Sequence, residues 1–259
     1  EGPCEYVVVH GGPGAPGSAS SLARKLSEAG TVLEPFQTET SMWGQVEELY
    51  RQIKEHCTDR VFALGHSWGA WLVYLLAYKH PEVVRIGFLI GAGAFDAAYL
   101  PVLQRRRLAA LTPEEQSEYR EMIALLKTPS ENSDRHLARL GELADKADNY
   151  SVEKTDENKE SLISIDGKQF QAVMKEALRM REEGFFRKIA GEIRCPIRII
   201  HGKNDTTPVE GVVDPLRGVV ADFAWYTIDR CGHSPWKEKY AKEEFYRIVD
   251  REVKQAKKL

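Results

Sequence analysis

The sequence predicts an α/β fold, in which a mostly parallel β-sheet has helices on both faces and a helical insertion follows one strand. Short apolar or β-branched runs alternate with segments of helical spacing over 1–94, a pattern typical of parallel sheets. No strand pattern occurs in 95–190, and the alternation returns in 191–259. We therefore expect a core formed by 1–94 and 191–259, with 95–190 as an inserted helical cap.

The core contains six predicted strands and four predicted helices. The strands are expected at 6–9, 31–36, 61–64, 83–90, 196–200 and 223–228. The helices are expected at 20–29, 46–57, 70–78 and 237–254. Gly30 follows the first helix and Pro81 follows the third, and both residue types commonly end helices. Because ligands of such sheets bind beyond the carboxyl ends of the strands, a site is expected in the loops that follow them.

The insertion contains a clear helix start. Thr112 is placed as the cap, Pro113 as the first helical residue and Glu115 three residues after the cap, which is the pattern of a capping box. Further helices are expected at 130–147 and 168–181. The stretch SVEKTDENKE between them has almost no apolar residue, so we expect a solvated loop and the most mobile part of the cap.

Composition and charge argue against several classes of partner. With 42% apolar and 29% charged residues, the chain is typical of a soluble globular protein. Its formal net charge of −3 gives no general attraction to nucleic acid or to an anionic membrane. The apolar stretches are too short to span a bilayer. The first twelve residues lack a basic region followed by an apolar segment, so no signal peptide is expected.

Four cysteines are scattered along the chain without a C-x-x-C pair. They are Cys4, Cys57, Cys195 and Cys231. This spacing argues against a zinc site and against a disulfide framework. We therefore expect buried free thiols in a reducing cytoplasm, with no metal and no organic cofactor.

The stretch ALGHSWGAW places a serine between two glycines, at a change from strand to helix. Ser67 follows a short apolar run and precedes a nearly continuous apolar segment with helical length. Small residues such as Gly65 and Gly69 are what a tight turn at this point requires, because larger side chains would collide with the neighbouring backbone. Such a turn exposes the serine oxygen at the N-terminus of a helix. The G-x-S-x-G pattern alone also occurs by chance, so the other motifs have to decide.

A serine nucleophile needs a base, and the base needs an acid to orient it. His233 is the candidate base, because it lies in a Gly-His-Ser-Pro turn after the last strand. Asp205 is the candidate acid, in the polar loop HGKNDTTP, and Asp229 is the alternative. Ser67, Asp205 and His233 occur in the chain order that α/β-hydrolases use.

Acyl transfer also requires hydrogen-bond donors for the developing oxyanion. The backbone N–H of Trp68 is one candidate, and the loop HGGPG offers a second from Gly11 or Gly12. Pro13 has no N–H to offer. A phosphate-binding role is the competing hypothesis for this loop, but the loop lacks both the G-K-[ST] ending and the G-x-G-x-x-G spacing.

Three further ring-bearing side chains adjoin these motifs. The candidate substrate-binding residues are His10, His66 and Trp236. A structural hydrogen-bonding role in the loops is the alternative for His10 and also for His201, since both end predicted strands.

The four segments HGGPG, GHSWG, GKNDTTP and GHSPW, in this order, resemble the α/β-hydrolase superfamily. The resemblance covers the core on both sides of 95–190. It implies that Ser67 lies on a nucleophile elbow and forms a triad with Asp205 and His233. It also implies a sheet whose two usual leading strands are absent or trimmed in the given sequence, which begins almost at YVVVHGG.

Within this superfamily, HGGPG together with SWG resembles the proline iminopeptidase branch. That branch removes an N-terminal proline from peptides, and acidic cap residues bind the free amine. The candidate amine ligands in the cap are Glu142, Asp145, Asp148, Glu176, Glu182 and Glu183. The chain departs from the branch after the second strand, where EPFQTETSMWG replaces an Asp-x-Arg-Gly-x-Gly-x-Ser loop, and the tryptophan- and glutamate-bearing cap motifs are absent.

The resemblance implies a serine hydrolase that cleaves a small ester or amide through an acyl-enzyme. An aminopeptidase similar to proline iminopeptidase is the first reading, with a small-molecule or short-peptide substrate. A carboxylesterase and a non-catalytic receptor for a small ligand are the alternatives. The sequence does not indicate the oligomeric state.

Overall fold

A six-stranded parallel sheet lies at the centre of the computed structural model, which describes residues 3–258. The strand order is β2-β1-β3-β4-β5-β6, and every neighbouring pair is parallel. The strands are β1 (Tyr6–Val9), β2 (Val32–Leu33), β3 (Val61–His66), β4 (Val84–Ile90), β5 (Ile197–Gly202) and β6 (Phe223–Ile228). The strand predicted at 31–36 is shortened to two residues, since Pro35 has no N–H to donate and restricts Glu34 before it.

Ten α-helices surround the sheet in the described part of the chain. They are α1 (Ser20–Leu26), α2 (Met42–His56), α3 (Trp68–Lys79), α4 (Leu100–Ala109), α5 (Pro113–Leu125), α6 (Ser133–Asp148), α7 (Gly167–Glu182), α8 (Phe185–Lys188), α9 (Glu210–Val213) and α10 (Lys242–Ala256). The sequence did not predict α4, α8 or α9. No helix within residues 3–258 has the length and apolar character needed to cross a membrane.

Alternate residues of each strand face opposite sides of the sheet, as the pleat requires. In β1, Val7 and Val9 belong to the hydrophobic cluster that includes α2 and α3. Tyr6 and Val8 belong to the cluster on the other face, which includes α1 and α10. The predicted fold class is confirmed: a parallel sheet has helices on both faces.

The chain between β4 and β5 forms five of the helices, α4 to α8. Thr112 caps α5, and the reciprocal bonds between Thr112 and Glu115 complete the predicted capping box. Part of α5 and α6 packs around a small apolar cluster of its own that contains Tyr119 and Leu143. By contrast, Val173 of α7 is buried in the main core, against the same cluster as α2 and α3.

The segment 149–166, which contains SVEKTDENKE, is irregular and largely exposed, as the sequence predicts, but it is attached to the core by hydrogen bonds that the sequence does not indicate. We call it the strap. Its first part pairs with the chain near β6: Val152 forms an antiparallel bridge to Glu238, and the Glu153 amide donates to the carbonyl of Lys237 at 2.9 Å. Its second part lies over the glycine-rich loop, where the Asp166 amide donates to the carbonyl of Gly14 at 2.8 Å. Backbone pairing and side-chain capping replace the apolar anchors that the sequence lacks.

Cys4 and Cys57 form a disulfide, contrary to the expectation of four free thiols. Cys4 precedes β1 and Cys57 follows α2, and their Cα atoms are 4.7 Å apart despite a separation of 53 in sequence. Cys195 and Cys231 are free and buried, as expected. Because disulfides persist in oxidising environments, the inference of a reducing cytoplasm, which rested on four free thiols, loses its basis.

Candidate active site

Ser67 lies on a sharp turn between β3 and α3. Its φ of 53° and ψ of −109° are unusual for a residue other than glycine. The turn requires glycine two residues before and two residues after Ser67, because neither position has room for a side chain. A Cβ on Gly65 would collide with the carbonyl of Gly69, and a Cβ on Gly69 would collide with the carbonyl of Val9. This geometry is that of a nucleophile elbow, in which a strained turn exposes the serine at a helix N-terminus.

His233 and Asp205 form a direct hydrogen-bonded pair. Nδ1 of His233 lies 2.8 Å from Oδ2 of Asp205. Oδ1 of Asp205 accepts a bond from the Thr207 amide at 2.8 Å, and the carboxylate is fully buried. Asp229, the alternative acid, is 75% exposed and pairs with Lys203 instead. The structure therefore places Asp205, and not Asp229, where an orienting acid must lie.

Burial and charge oppose each other in this pair. Burial alone would raise the pKa of the Asp205 carboxyl, but His233 and His201 beside it and the bond from Thr207 hold that pKa below its ordinary value. Burial alone would lower the pKa of His233, but the charge and hydrogen bond of Asp205 raise it above the ordinary value. Asp205 thus stays ionised. Its negative charge stabilises the imidazolium that forms when His233 acts as a general base and accepts a proton.

The loop after β4 brings the serine and histidine loops together. The Ser67 amide donates to the carbonyl of Ile90 at 2.9 Å. A Cβ on the next residue, Gly91, would lie 3.2 Å from Nδ1 of His233. Both Ser67 and His233 keep partial solvent access. Since Nδ1 of His233 is bonded to Asp205, Nε2 is the nitrogen available to a hydroxyl group.

Two of the three candidate oxyanion donors have no hydrogen-bond acceptor within residues 3–258. These are the backbone N–H groups of Gly12 and Trp68. The third candidate, Gly11, is ruled out, because its N–H donates to Oγ of Ser18 at 3.1 Å. The Trp68 N–H begins α3, where the first amides of a helix have no partner within the helix.

The three side chains predicted to bind substrate are buried, which argues against that role. His10 is 1% exposed, and its Nδ1 contacts the carbonyl of Gly11 at 3.0 Å. Trp236 is also 1% exposed, belongs to the core against α1 and α10, and donates to Oγ of Ser21. Neither side chain presents a surface to a substrate.

His66 is hydrogen-bonded to the backbone of the loop that contains His233. It is 7% exposed, and burial, together with the charge of His233, lowers the pKa of its imidazole well below the ordinary value. Nε2 of the neutral ring donates to the carbonyl of His233 at 3.1 Å. The ring also packs edge-on against Trp236, with centroids 4.6 Å apart. Its contacts are structural.

Sequence reasoning missed several polar residues that surround the pair. The sequence predicts Asp148 only as an amine ligand, whereas the structure bonds its carboxylate to Arg107 and to Thr206. Glu238 is fully buried and accepts bonds from three backbone amides. One signal was present: Asp148 ends α6, and a carboxylate at a helix C-terminus is unfavourable unless another partner compensates it.

Comparison with known proteins agrees with this architecture. The family model described as "Alpha/beta hydrolase family" matches residues 7–247. A search of curated proteins found no match.

Many solved structures are similar, and the three described here share 14–17% identity with this chain. VinJ has a TM-score of 0.67 at 17% identity, over 99% of this chain and 92% of VinJ. Proline iminopeptidase from Mycobacterium smegmatis has a TM-score of 0.62 at 16% identity, over 97% and 90%. The esterase EaEST from Exiguobacterium antarcticum has a TM-score of 0.60 at 14% identity, over 99% and 93%. These likenesses concern the fold, and the family match covers most of the sequence: the chain belongs to the alpha/beta hydrolase family.

Proposed function

We propose that this protein is a serine hydrolase that cleaves small carboxylic esters through an acyl-enzyme. The observation that carries the proposal is the buried His233–Asp205 pair, with Nδ1 and Oδ2 2.8 Å apart, next to a serine on a strained elbow. Ser67 attacks the ester carbonyl, and His233 accepts its proton and passes it to the leaving alcohol. Water then repeats the attack on the acyl-enzyme. The N–H groups of Gly12 and Trp68 stabilise the oxyanion in both steps.

The state of the cap carboxylates favours an ester over an aminopeptide substrate. A free amine is a cation, and a pocket that excludes water needs an anion to bind it. Of the six candidates, Glu142, Asp145, Glu182 and Glu183 are exposed. Asp148 is paired with Arg107, and Glu176 accepts a bond from the Met42 amide at 2.7 Å. None of the six is a buried carboxylate without a partner, so the amine site that the iminopeptidase resemblance implied lacks support.

Covalent labelling tests the serine mechanism. A fluorophosphonate should label the wild-type protein and leave Ser67→Ala unlabelled, with a loss of turnover of about 10³-fold or more. Both samples should have the same circular dichroism spectrum, because the substitution removes a single oxygen. An unlabelled wild-type protein would indicate a receptor for a small ligand, and near-normal turnover by Ser67→Ala would exclude the serine mechanism.

A substrate pair tests the ester assignment. We expect kcat/KM to be substantial for short-chain p-nitrophenyl esters and negligible for prolyl and alanyl p-nitroanilides. A free amine should give no advantage over its N-acetylated form, since none of the six candidate cap carboxylates is both buried and unpaired. A large preference for the free prolyl amide would restore the aminopeptidase reading.

A further inference from the structure

A buried ion pair links the helices between β4 and β5 to each other. Arg107 on α4 and Asp148 at the end of α6 form a bidentate ion pair, in which Nε of Arg107 lies 2.8 Å from Oδ1 of Asp148 and Nη2 contacts Oδ2. The two side chains are only 18% and 4% exposed. Nη1 of Arg107 also donates to the hydroxyl of Tyr119 on α5 at 2.9 Å. Three helices of the insertion therefore meet at this pair.

The same aspartate also contacts both loops of the acid–base pair. Oδ1 of Asp148 accepts a bond from the hydroxyl of Thr206, the residue after Asp205, at 2.5 Å. The backbone carbonyl of Asp148 accepts the amide of His233 at 3.0 Å. Oδ1 of the following residue, Asn149, accepts the amide of Ser234 at 3.0 Å. One helix end thus bonds to the neighbours of the acid and to the backbone of the base.

We propose that Arg107 and Asp148 are positioning residues, which dock the inserted helices onto the Asp205 and His233 loops and balance the charge next to His233. The proposal rests on the serine hydrolase function proposed above. Neither residue touches the reacting atoms. A buried carboxylate without Arg107 would add an uncompensated negative charge beside the base, and Arg107 without Asp148 would add a positive one.

The charges around His233 determine whether a substitution at Asp148 or Arg107 raises or lowers the pKa of its imidazole. Beyond its partner Asp205, the groups that act directly on His233 are Asp148 and Arg107, and the ring of His66 packs against it. Of the other charged or titratable groups nearby, His201, Glu238 and Arg106 lie close to Asp205, and Lys237 lies close to His66. Asp148 acts to raise the pKa of His233, and Arg107 acts to lower it. The two influences oppose each other in the wild-type protein.

The pH dependence of kcat/KM tests the proposal. A base must be neutral to accept a proton, so the rate rises as the pH increases through the pKa of His233. Asp148→Asn leaves Arg107 uncompensated and should move this acidic limb to lower pH. Arg107→Gln leaves Asp148 uncompensated and should move it to higher pH. Each displacement should be about 1 pH unit, the lower end of what a neighbouring charge produces.

A double variant and a control separate charge balance from general damage. Arg107→Gln combined with Asp148→Asn removes both charges and should return the acidic limb to within a few tenths of the wild-type position, even where the rate is lower. The matched control is Arg139→Gln, which breaks a bidentate pair with Glu118. This pair joins α6 to α5 in the same insertion, but its side chains are 39% and 36% exposed. The control should leave the limb in place.

An unchanged limb in both single variants, or movement in the same direction, would overturn the proposal. If Arg107→Gln does not fold, the acidic limbs of Asp148→Asn and of the double variant still test the proposal. Titration of the His233 imidazole by NMR, assigned with His233→Gln, gives the same shifts without turnover. A protein that is inactive on every ester but shows the opposed shifts would contradict the proposed function and leave this inference intact.

Discussion

At the scale of single residues, the serine turn is a conformation that its glycines make possible. Ser67 adopts a positive φ of 53°, and strain of this kind costs about 1–3 kcal/mol. Backbone carbonyls occupy the space that side chains at 65 and 69 would need. The surrounding core compensates, because β3 and α3 on either side of the turn are almost completely buried.

We expect Gly65→Ala to reduce the free energy of unfolding by about 1–3 kcal/mol or more, since the added methyl overlaps backbone that cannot move aside. Gly141→Ala is the matched control. Gly141 lies on the exposed side of α6, where an added Cβ would meet nothing within 4 Å outside the helix backbone, and alanine there should add about 0.5–1 kcal/mol. Urea denaturation measures both changes. Equal stability of the two variants would contradict the close packing at the elbow.

Asp205→Asn should leave the fold intact and reduce kcat by about 10⁴-fold, since an amide favours the wrong tautomer of His233. Asp229→Asn should retain wild-type turnover, because Asp229 is exposed and its pair with Lys203 contributes little. Steady-state kinetics on the same ester compares the two variants. If Asp229→Asn proves the damaging one, the orienting acid has been misidentified.

At the scale of elements, a carboxylate at the start of α1 adds to the backbone bonds that attach the strap. Glu160 accepts bonds from the hydroxyl of Ser20 at 3.0 Å and from the amide and hydroxyl of Ser21 at 2.7 and 2.6 Å. The carboxylate thus occupies the positive end of α1, whose first turn has no acidic residue of its own. Beyond Glu160, Leu162 and Ile163 are 53% and 61% exposed.

Limited proteolysis tests this attachment. Thermolysin should first cut beside Leu162 or Ile163, later in the strap than the charged stretch that the sequence predicts to be most mobile. Glu160→Gln should speed the cut about tenfold, because one weakened charge-assisted bond of about 1.5 kcal/mol changes the open population by that factor. Glu157→Gln is the control, since Glu157 is 82% exposed and has one long ion pair to Lys242. Equal cutting of both variants would show that Glu160 does not attach the strap.

At the scale of the whole molecule, the disulfide connects the entry of the first strand to the far end of α2. It closes a loop that contains β1, the glycine-rich loop with the proposed oxyanion donor Gly12, α1, β2 and α2. Cys4 also donates its backbone amide to the carbonyl of His56 at 3.3 Å. The bond therefore stabilises the edge of the sheet on which β2 has only two residues.

Cys4→Ala combined with Cys57→Ala should reduce the free energy of unfolding by about 2–4 kcal/mol, the typical contribution of a disulfide. A loop of 53 residues corresponds to about 4 kcal/mol in the chain-entropy model. Urea denaturation in oxidising buffer measures the loss, and a reducing agent should destabilise the wild-type protein but not the double variant. Loss of stability from the reducing agent in both proteins would contradict this assignment.

The sequence by itself determined the features that depend on neighbouring residues. The alternation of strands and helices, the capping box at Thr112 and the elbow around Ser67 all arise from patterns of a few consecutive residues. Their steric and hydrogen-bonding requirements are local, so the pattern and the structure agree. The pairing of Asp205 with His233 was also anticipated, because both follow parallel strands whose carboxyl ends meet at one edge of the sheet.

Only the tertiary structure decided which distant polar groups meet. Asp148 and Thr206 are 58 residues apart in sequence, and nothing local to either one indicates the other. The same holds for Glu160 at the start of α1 and for the Cys4–Cys57 bond. Whether His66 and Trp236 face a substrate or the core also depended on how the loops pack over β3. In each case the free energy comes from desolvated contacts between remote segments, which exist only once the sheet has brought those segments together.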